Sequence, residues 1–284
     1  MKRFYTFTLA LAIVFTLIVS GSHYVFAAGL ITGGPLPEDQ HLEDPDPNGD
    51  DLREDRSGVD SWITKWYGPE GNYQNNGGFA TSAPIDLIEE GTGGALNQFS
   101  LSTLDGLLMT QDLDVEWGDD HGGTRAWTVF EIDPTDGNNM GRPDGDPTAD
   151  SYPNNVDIYG LLVIDSPSDM QAVMSPAHDD YAQIWINGEK WYNNSRWTGA
   201  AQTILHDVEI DLQKGANVLV YRCGESGGSA YFNLHLDDAT NAAVTVYPKD
   251  STDQASFFAE IQDIVVSVEP VGKLTTTWAD IKRQ

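Results

Sequence analysis

The chain has 284 residues and carries 44 Asp and Glu against 15 Lys and Arg, a formal net charge of -29. A field of that sign repels polyphosphate and anionic lipid, which excludes nucleic acid and acidic membrane surfaces as partners and favours cations or neutral ligands. The sole cysteine, Cys223, excludes an intrachain disulfide, so an exported domain must hold itself together by core packing, with help from bound cations.

In chain order, Met1-Lys2-Arg3, the apolar run Phe4 to Val19 and the small-residue site Val25-Phe26-Ala27 predict a secretory signal peptide over 1–27, cut after Ala27 or Ala28. An uncleaved anchor is the alternative, because the run approaches the length that spans a bilayer. With the signal removed, no apolar segment is long enough to be an integral membrane segment. The expected location is secreted or cell-surface.

Residues 28–60 are rich in Pro, Gly and acids with almost no apolar periodicity, and read as an acidic linker. Within it, Asp44, Asp46 and Asn48 stand at positions one, three and five of a calcium-loop template. Gly49 stands at six, Asp50 at seven and Asp55 at twelve. Asp51 replaces the apolar residue of position eight and Asp55 the usual glutamate, so a plain acidic linker is the competing reading.

From Ser61 to about residue 248, aromatic and β-branched residues come in short runs separated by Gly, Asn and Asp clusters, the pattern of an all-β domain. The predicted strands are Ser61 to Tyr67, Asp112 to Trp117, Ala126 to Ile132, Asp157 to Asp165, Met170 to Ser175, Tyr181 to Ile186, Lys190 to Tyr192, Ile204 to Leu212, Asn217 to Cys223 and Ala230 to Leu236. Few segments before the end of the chain show a helical pattern. The fold class expected is a two-sheet antiparallel β-sandwich or jelly roll with long acidic loops. In one such loop, Asp133 to Asp157, the carboxylates of Asp144, Asp146 and Asp150 are spaced so that a single folded turn could present them to Ca2+.

The densest pattern is Ser175 to Tyr192, SPAHDDYAQIWINGEKWY. Ala182, Ile184 and Ile186 alternate with Tyr181, Gln183 and Trp185, the period of a strand, and Asn187-Gly188 predicts a tight hairpin turn into Glu189 to Tyr192. Asp179 and Asp180 therefore stand in a loop at one end of a sheet, open to a ligand or cation. Trp191, Tyr192 and Trp197 lie nearby in sequence and could offer the flat faces on which pyranose rings pack. Core aromatics are the blander use of the same residues.

Gly224-Glu225-Ser226-Gly227-Gly228 fits G-x-S-x-G, yet strand-like runs flank it on both sides and no acid lies between Ser226 and His235, so a hairpin turn is predicted rather than a nucleophile elbow. Residues 249–284 read as a tail with a short helix from Ser251 to Ile264, capped by Ser251 or Thr252, with Phe257, Phe258 and Ile261 on one stripe.

The motif DD-x-x-x-x-W-x-NG at Asp179 to Gly188, the run Asp211-Leu212-Gln213-Lys214-Gly215-Ala216-Asn217-Val218-Leu219 and the strand Tyr231 to Leu236 together resemble galactose-binding-like sandwiches, in particular the flocculin and protective-antigen type of sugar-binding domain. The likeness covers roughly Tyr159 to Asp237. It implies that Asp179 and Asp180, joined by a cis peptide, hold Ca2+ that ligates vicinal sugar hydroxyls. An amide from a neighbouring loop would complete the set, with Asn233 or Asn217 as candidates. The expected function is a non-enzymatic, calcium-dependent carbohydrate-binding or cell-surface protein, with glycan as partner. The alternatives are a structural or adhesive protein that self-associates, and a glycan-active hydrolase whose carboxylate pair nothing in the sequence singles out.

Overall fold

The computed structural model describes residues 29–37, 40–42, 52–141 and 153–268. The signal peptide, most of the calcium-loop template and the carboxylates Asp144, Asp146 and Asp150 lie outside the described residues.

The fold is a β-sandwich. Among the described residues the smaller sheet runs Gly29–Ile31, His206–Leu212, Met170–His178, Phe232–Leu236. The larger runs Glu189–Asn194, Tyr181–Ile186, Gly215–Gly224, Val156–Ser166, Lys65–Pro69, Trp127–Glu131. All of these pairings are antiparallel except that of Gly29–Ile31, which lies parallel to His206–Leu212. Asn187 and Gly188 take φ of 53° and 82° at the predicted turn, and Ile186 pairs with Glu189 across it.

The core between the sheets draws alternate residues from each strand. Ile158, Leu162 and Ile164 from one strand and Leu219, Tyr221 and Cys223 from its neighbour meet Met174, Ile210 and Leu234 from the smaller sheet. The intervening residues Tyr159, Leu161, Val163, Val218 and Val220 are buried as well, on the opposite face of the larger sheet. A strand covered on both faces needs no polar side, which explains why Leu161 to Ile164 and Val218 to Tyr221 are unbroken apolar runs.

The cover on that second face is helical, which the sequence pattern did not predict. Phe79–Ser82, Leu87–Gly91, Gln98–Leu101 and Leu104–Met109 form a layer of short helices, with Leu87, Ile88, Leu101 and Leu107 buried on the sheet. Helices of four to six residues are too short to display a 3.6-residue period, and the last three of these begin at capping side chains instead. Asp86 accepts from the N–H groups of Ile88 and Glu89, Asn97 from Ser100, and Thr103 from Gly106.

Two expectations about the chain ends are corrected. The stretch read as linker contributes Gly29–Ile31 to the edge of the smaller sheet and Glu54–Asp55 to a pairing with Thr203–Ile204, and Arg56 bonds Asp207 at 3.1 Å. Backbone pairing at an edge requires no apolar periodicity, so composition could not reveal it. The expected tail helix spans Gln254–Val268 and packs Phe257 and Ile261 on the larger sheet, with Phe257 stacked 4.5 Å from Tyr67. Its cap is Asp253, not Ser251 or Thr252: Asp253 Oδ1 accepts from the Ser256 N–H at 2.7 Å, while Ser256 Oγ accepts from the Asp253 N–H at 3.1 Å.

Gly160 is a close approach in the inter-sheet core. A Cβ there would stand 2.6 Å from Trp66 Cε3 and 2.7 Å from Phe232 Cζ. Gly160→Ala is expected to cost about 1–3 kcal/mol of unfolding free energy through overpacking. Denaturant titration checks it, and an unchanged midpoint would contradict the packing described.

Candidate functional site

The Met170–His178 strand belongs to the smaller sheet and Tyr181–Ile186 to the larger, so Asp179 and Asp180 are the residues through which the chain crosses between sheets. Their backbone is pinned on both sides. The Asp179 N–H donates to Tyr231 O at 3.1 Å and the Asp180 N–H to Gly224 O at 3.1 Å. The peptide joining the two is cis.

Pairing across the larger sheet brings in a third carboxylate. Tyr181 registers with Gly224, so the residue after Gly224 lies beside Asp180. That residue is Glu225, held by its N–H to Val156 O at 2.8 Å. Carboxylate oxygens of Asp179, Asp180 and Glu225 all lie within 4.8 Å of one another. The Ser226 N–H donates to Asp180 Oδ2 at 3.2 Å and the Gly227 N–H to Glu225 Oε1, whereas Glu225 Oε2, in a fully buried residue, has no hydrogen-bond partner among the described residues.

Proton affinity in the cluster follows from this crowding. Burial, and then the neighbouring Asp180 charge, push Asp179 up to about 7. Burial, followed by the charges of Asp180 and Asp179, pushes Glu225 up to about 8. Three carboxylates so placed are stable together only when protons or a cation offset their charge. Their donor set is all oxygen, which suits a hard ion such as Ca2+ and offers nothing to a thiolate- or imidazole-seeking metal.

The surroundings are structural. His178 is fully buried, with Nε2 2.8 Å from Tyr192 Oη and Nδ1 3.2 Å from Asp180 O, and burial pushes it down to about 3. Both of its nitrogens are engaged, which leaves none for a metal. Cys223 is buried, its Sγ donates to the Asp179 and Tyr231 carbonyls, and burial raises the thiol well above its ordinary range. Ser226 lies in a connection between two strands and its Oγ accepts from the Phe79 N–H at 3.2 Å, a loop tie rather than an elbow.

The other expected site residues separate. Trp191 and Tyr192 are buried in the inter-sheet core and present no face to solvent: the register shift opposite them, between Ile184 and Trp185, sets two consecutive side chains among the core residues. Asn233 and Asn217 are buried and bonded elsewhere: Asn233 Nδ2 donates to Pro134 O and Ala201 O, and Asn217 Nδ2 to the Ile164, Gln213 and Gly215 carbonyls. Neither amide joins the acidic cluster. Asp55 caps a turn by accepting from the Ser57 N–H at 2.8 Å.

Trp197 is the exposed aromatic of the three, 47% accessible, with the Arg53 guanidinium 4.9 Å from its ring centre. The next residue, Thr198, donates its N–H to His178 O, so this loop runs beside the strand that ends at Asp179. Asp44, Asp46, Asn48, Asp50, Asp144, Asp146 and Asp150 fall outside the described residues.

Glu225 was not among the expected ligands. The signal that could have found it was the pairing of the two strands on either side of the larger sheet's end, which sets Gly224 opposite Tyr181.

No protein-family model matches the chain, and no curated protein matches it. The solved structures similar to part of it include two carbohydrate binding modules. One is a family 35 carbohydrate binding module from an environmental isolate, 16% identical, covering 32% of this chain and 69% of that one with a TM-score of 0.23. The other is a family 35 carbohydrate binding module from Clostridium thermocellum, 14% identical, covering 43% and 78% with a TM-score of 0.21.

Proposed function

We propose that this chain is an exported, non-enzymatic protein in which Asp179, Asp180 and Glu225 hold Ca2+, and that the ion serves calcium-dependent binding of carbohydrate on a cell surface or in its surroundings. The observation that carries the reading is the convergence of three carboxylates within 4.8 Å, with the buried Glu225 Oε2 lacking a hydrogen-bond partner among the described residues. An ion there would satisfy that oxygen and offset the mutual repulsion that pushes Asp179 and Glu225 upward. Ca2+ accepts about six to eight oxygens, so three carboxylates leave coordination positions for outside hydroxyls.

The sequence resemblance at Asp179 to Gly188 supports vicinal sugar hydroxyls as those outside ligands, and the exposed Trp197 supports an aromatic face on the loop beside them. Asp44, Asp46, Asn48, Asp50, Asp144, Asp146 and Asp150 are proposed as further calcium ligands on sequence grounds alone.

A glycan array read in calcium and again in chelator tests the sugar step. Retention of at least one glycan class is expected in calcium, lost in chelator and in Glu225→Gln. A blank array together with calcium-dependent assembly on a sizing column would replace this reading by the structural or adhesive one.

A further inference from the structure

The outward face of the Tyr181–Ile186 strand floors a cleft of about 690 Å3. Tyr181, Gln183 and Trp185 line it, while Ala182, Ile184 and Ile186 alternate into the core between the sheets. The neighbouring strand adds Asn193, registered with Gln183, and Lys190, registered with Trp185. Ala80, Ile85 and Phe99 from the helical layer complete the walls.

Three polar atoms belonging to this floor have no hydrogen-bond partner among the described residues: Gln183 Oε1, Asn193 Oδ1 and Trp185 Nε1. Their residues are 6%, 2% and 1% exposed. The orientation of the Asn193 amide is fixed, because its Nδ2 donates to Gln40 O at 2.9 Å. A buried polar group left without a partner is unfavourable, and the three residues that carry these atoms all line one cleft, which favours a ligand that supplies their partners.

The partners required are two donors for the amide oxygens and one acceptor for the indole N–H. Hydroxyl groups provide both from a single compact ring. Charge narrows the class further. Lys190 Nζ already lies 5.5 Å from the Trp185 ring centre and 5.8 Å from that of Phe99, which disfavours a cationic ligand. The exposed Glu89 on the wall and the net charge of -29 disfavour an anionic one. Phe99 and the exposed Ile85 supply apolar contact for the C–H faces of a ring.

We propose that this cleft is a second, metal-independent binding site, selective for a neutral pyranoside of about one or two rings, the size that clefts of about 300–1,000 Å3 admit. It stands apart from the acidic cluster, since none of Asp179, Asp180 and Glu225 lines it.

Saturation-transfer NMR on the full chain in chelator tests the proposal, with methyl β-glucopyranoside, methyl α-mannopyranoside, methyl β-galactopyranoside and cellobiose as probes. Saturation of at least one probe is expected, with affinity falling about tenfold in Gln183→Leu, the loss of one buried hydrogen bond. Ala80→Leu, at an exposed wall position, narrows the cleft without disturbing the core and should weaken the same probe if Gln183→Leu fails to fold. Silence from all four probes in chelator, binding that requires calcium, or equal binding by the folded variants would overturn it. Calcium calorimetry without sugar reports on the acidic cluster separately, so either site can fail while the other stands.

Discussion

Asp157→Asn is expected to lower the unfolding free energy by about 3–5 kcal/mol, because it leaves the Arg222 guanidinium charged and unpaired in the interior. Both side chains are fully inaccessible to solvent. Asp157 Oδ2 accepts from Arg222 Nε at 2.9 Å and lies 2.8 Å from Nη2, while Oδ1 accepts from Asn75 Nδ2 at 2.9 Å and from Ser82 Oγ at 2.6 Å. Arg222 also donates to Ile85 O and Ser82 O at 2.8 Å each. Those carbonyls belong to the helical layer, so the ion pair is the clamp that holds this layer on the larger sheet. Replacing both partners by apolar residues, Asp157→Leu with Arg222→Met, should cost less than the single change, since no lone charge is left behind. Denaturant unfolding followed by tryptophan fluorescence measures both. A loss under about 1 kcal/mol for Asp157→Asn would show that the pair does not anchor the layer.

The second large effect is the pH dependence of calcium stabilisation. Asp179 and Glu225 are held at about 7 and about 8 in the folded chain, above their unfolded values of 3.8 and 4.5. The folded state therefore binds more protons than the unfolded state between those values. The associated stability is complete in acid and is lost as pH rises through 7 to 8. His178 and His206, pushed down by burial to about 3 and about 4, act in the opposite sense. Their contribution is present above 6.5 and lost as pH falls toward 4.

Metal-free protein should consequently lose stability on both sides of a plateau in mildly acid solution. Calcium takes the place of the protons in the cluster, so the rise in Tm on adding calcium should grow from about pH 5.5 to about pH 8. At calcium about a hundredfold above its Kd the stabilisation would be about 2.7 kcal/mol. A Tm increment that is flat with pH, or that shrinks toward pH 8, would separate calcium from these carboxylates.

The sandwich was legible because its longer strands show a pattern, which the three-residue edge strand Gly29–Ile31 does not. Tyr181 to Ile186 alternates, and Asn187-Gly188 marks its turn without ambiguity. The helical layer was not legible from periodicity, though Asp86, Asn97 and Thr103 stood in the sequence as capping signals. Trp191 and Tyr192 were not legible as core residues for another reason: the register shift between Ile184 and Trp185 in the pairing with Glu189–Asn194 sets two consecutive side chains in the inter-sheet core, which strict alternation does not anticipate.

The acidic pair was visible as adjacent letters. Its third member was not, since Glu225 is 45 residues from Asp180 and reaches it only through strand pairing. Conversely, Asn233 looked eligible by residue type alone, and its hydrogen bonds to Pro134 and Ala201 commit it to holding loops together.

Isothermal calorimetry of Ca2+ into the wild-type chain, Glu225→Gln and Asp179→Asn addresses the metal site most directly. The wild type should show a binding component that both variants lose while their circular dichroism stays unchanged. Superimposable isotherms from all three folded proteins would contradict a calcium site at Asp179, Asp180 and Glu225.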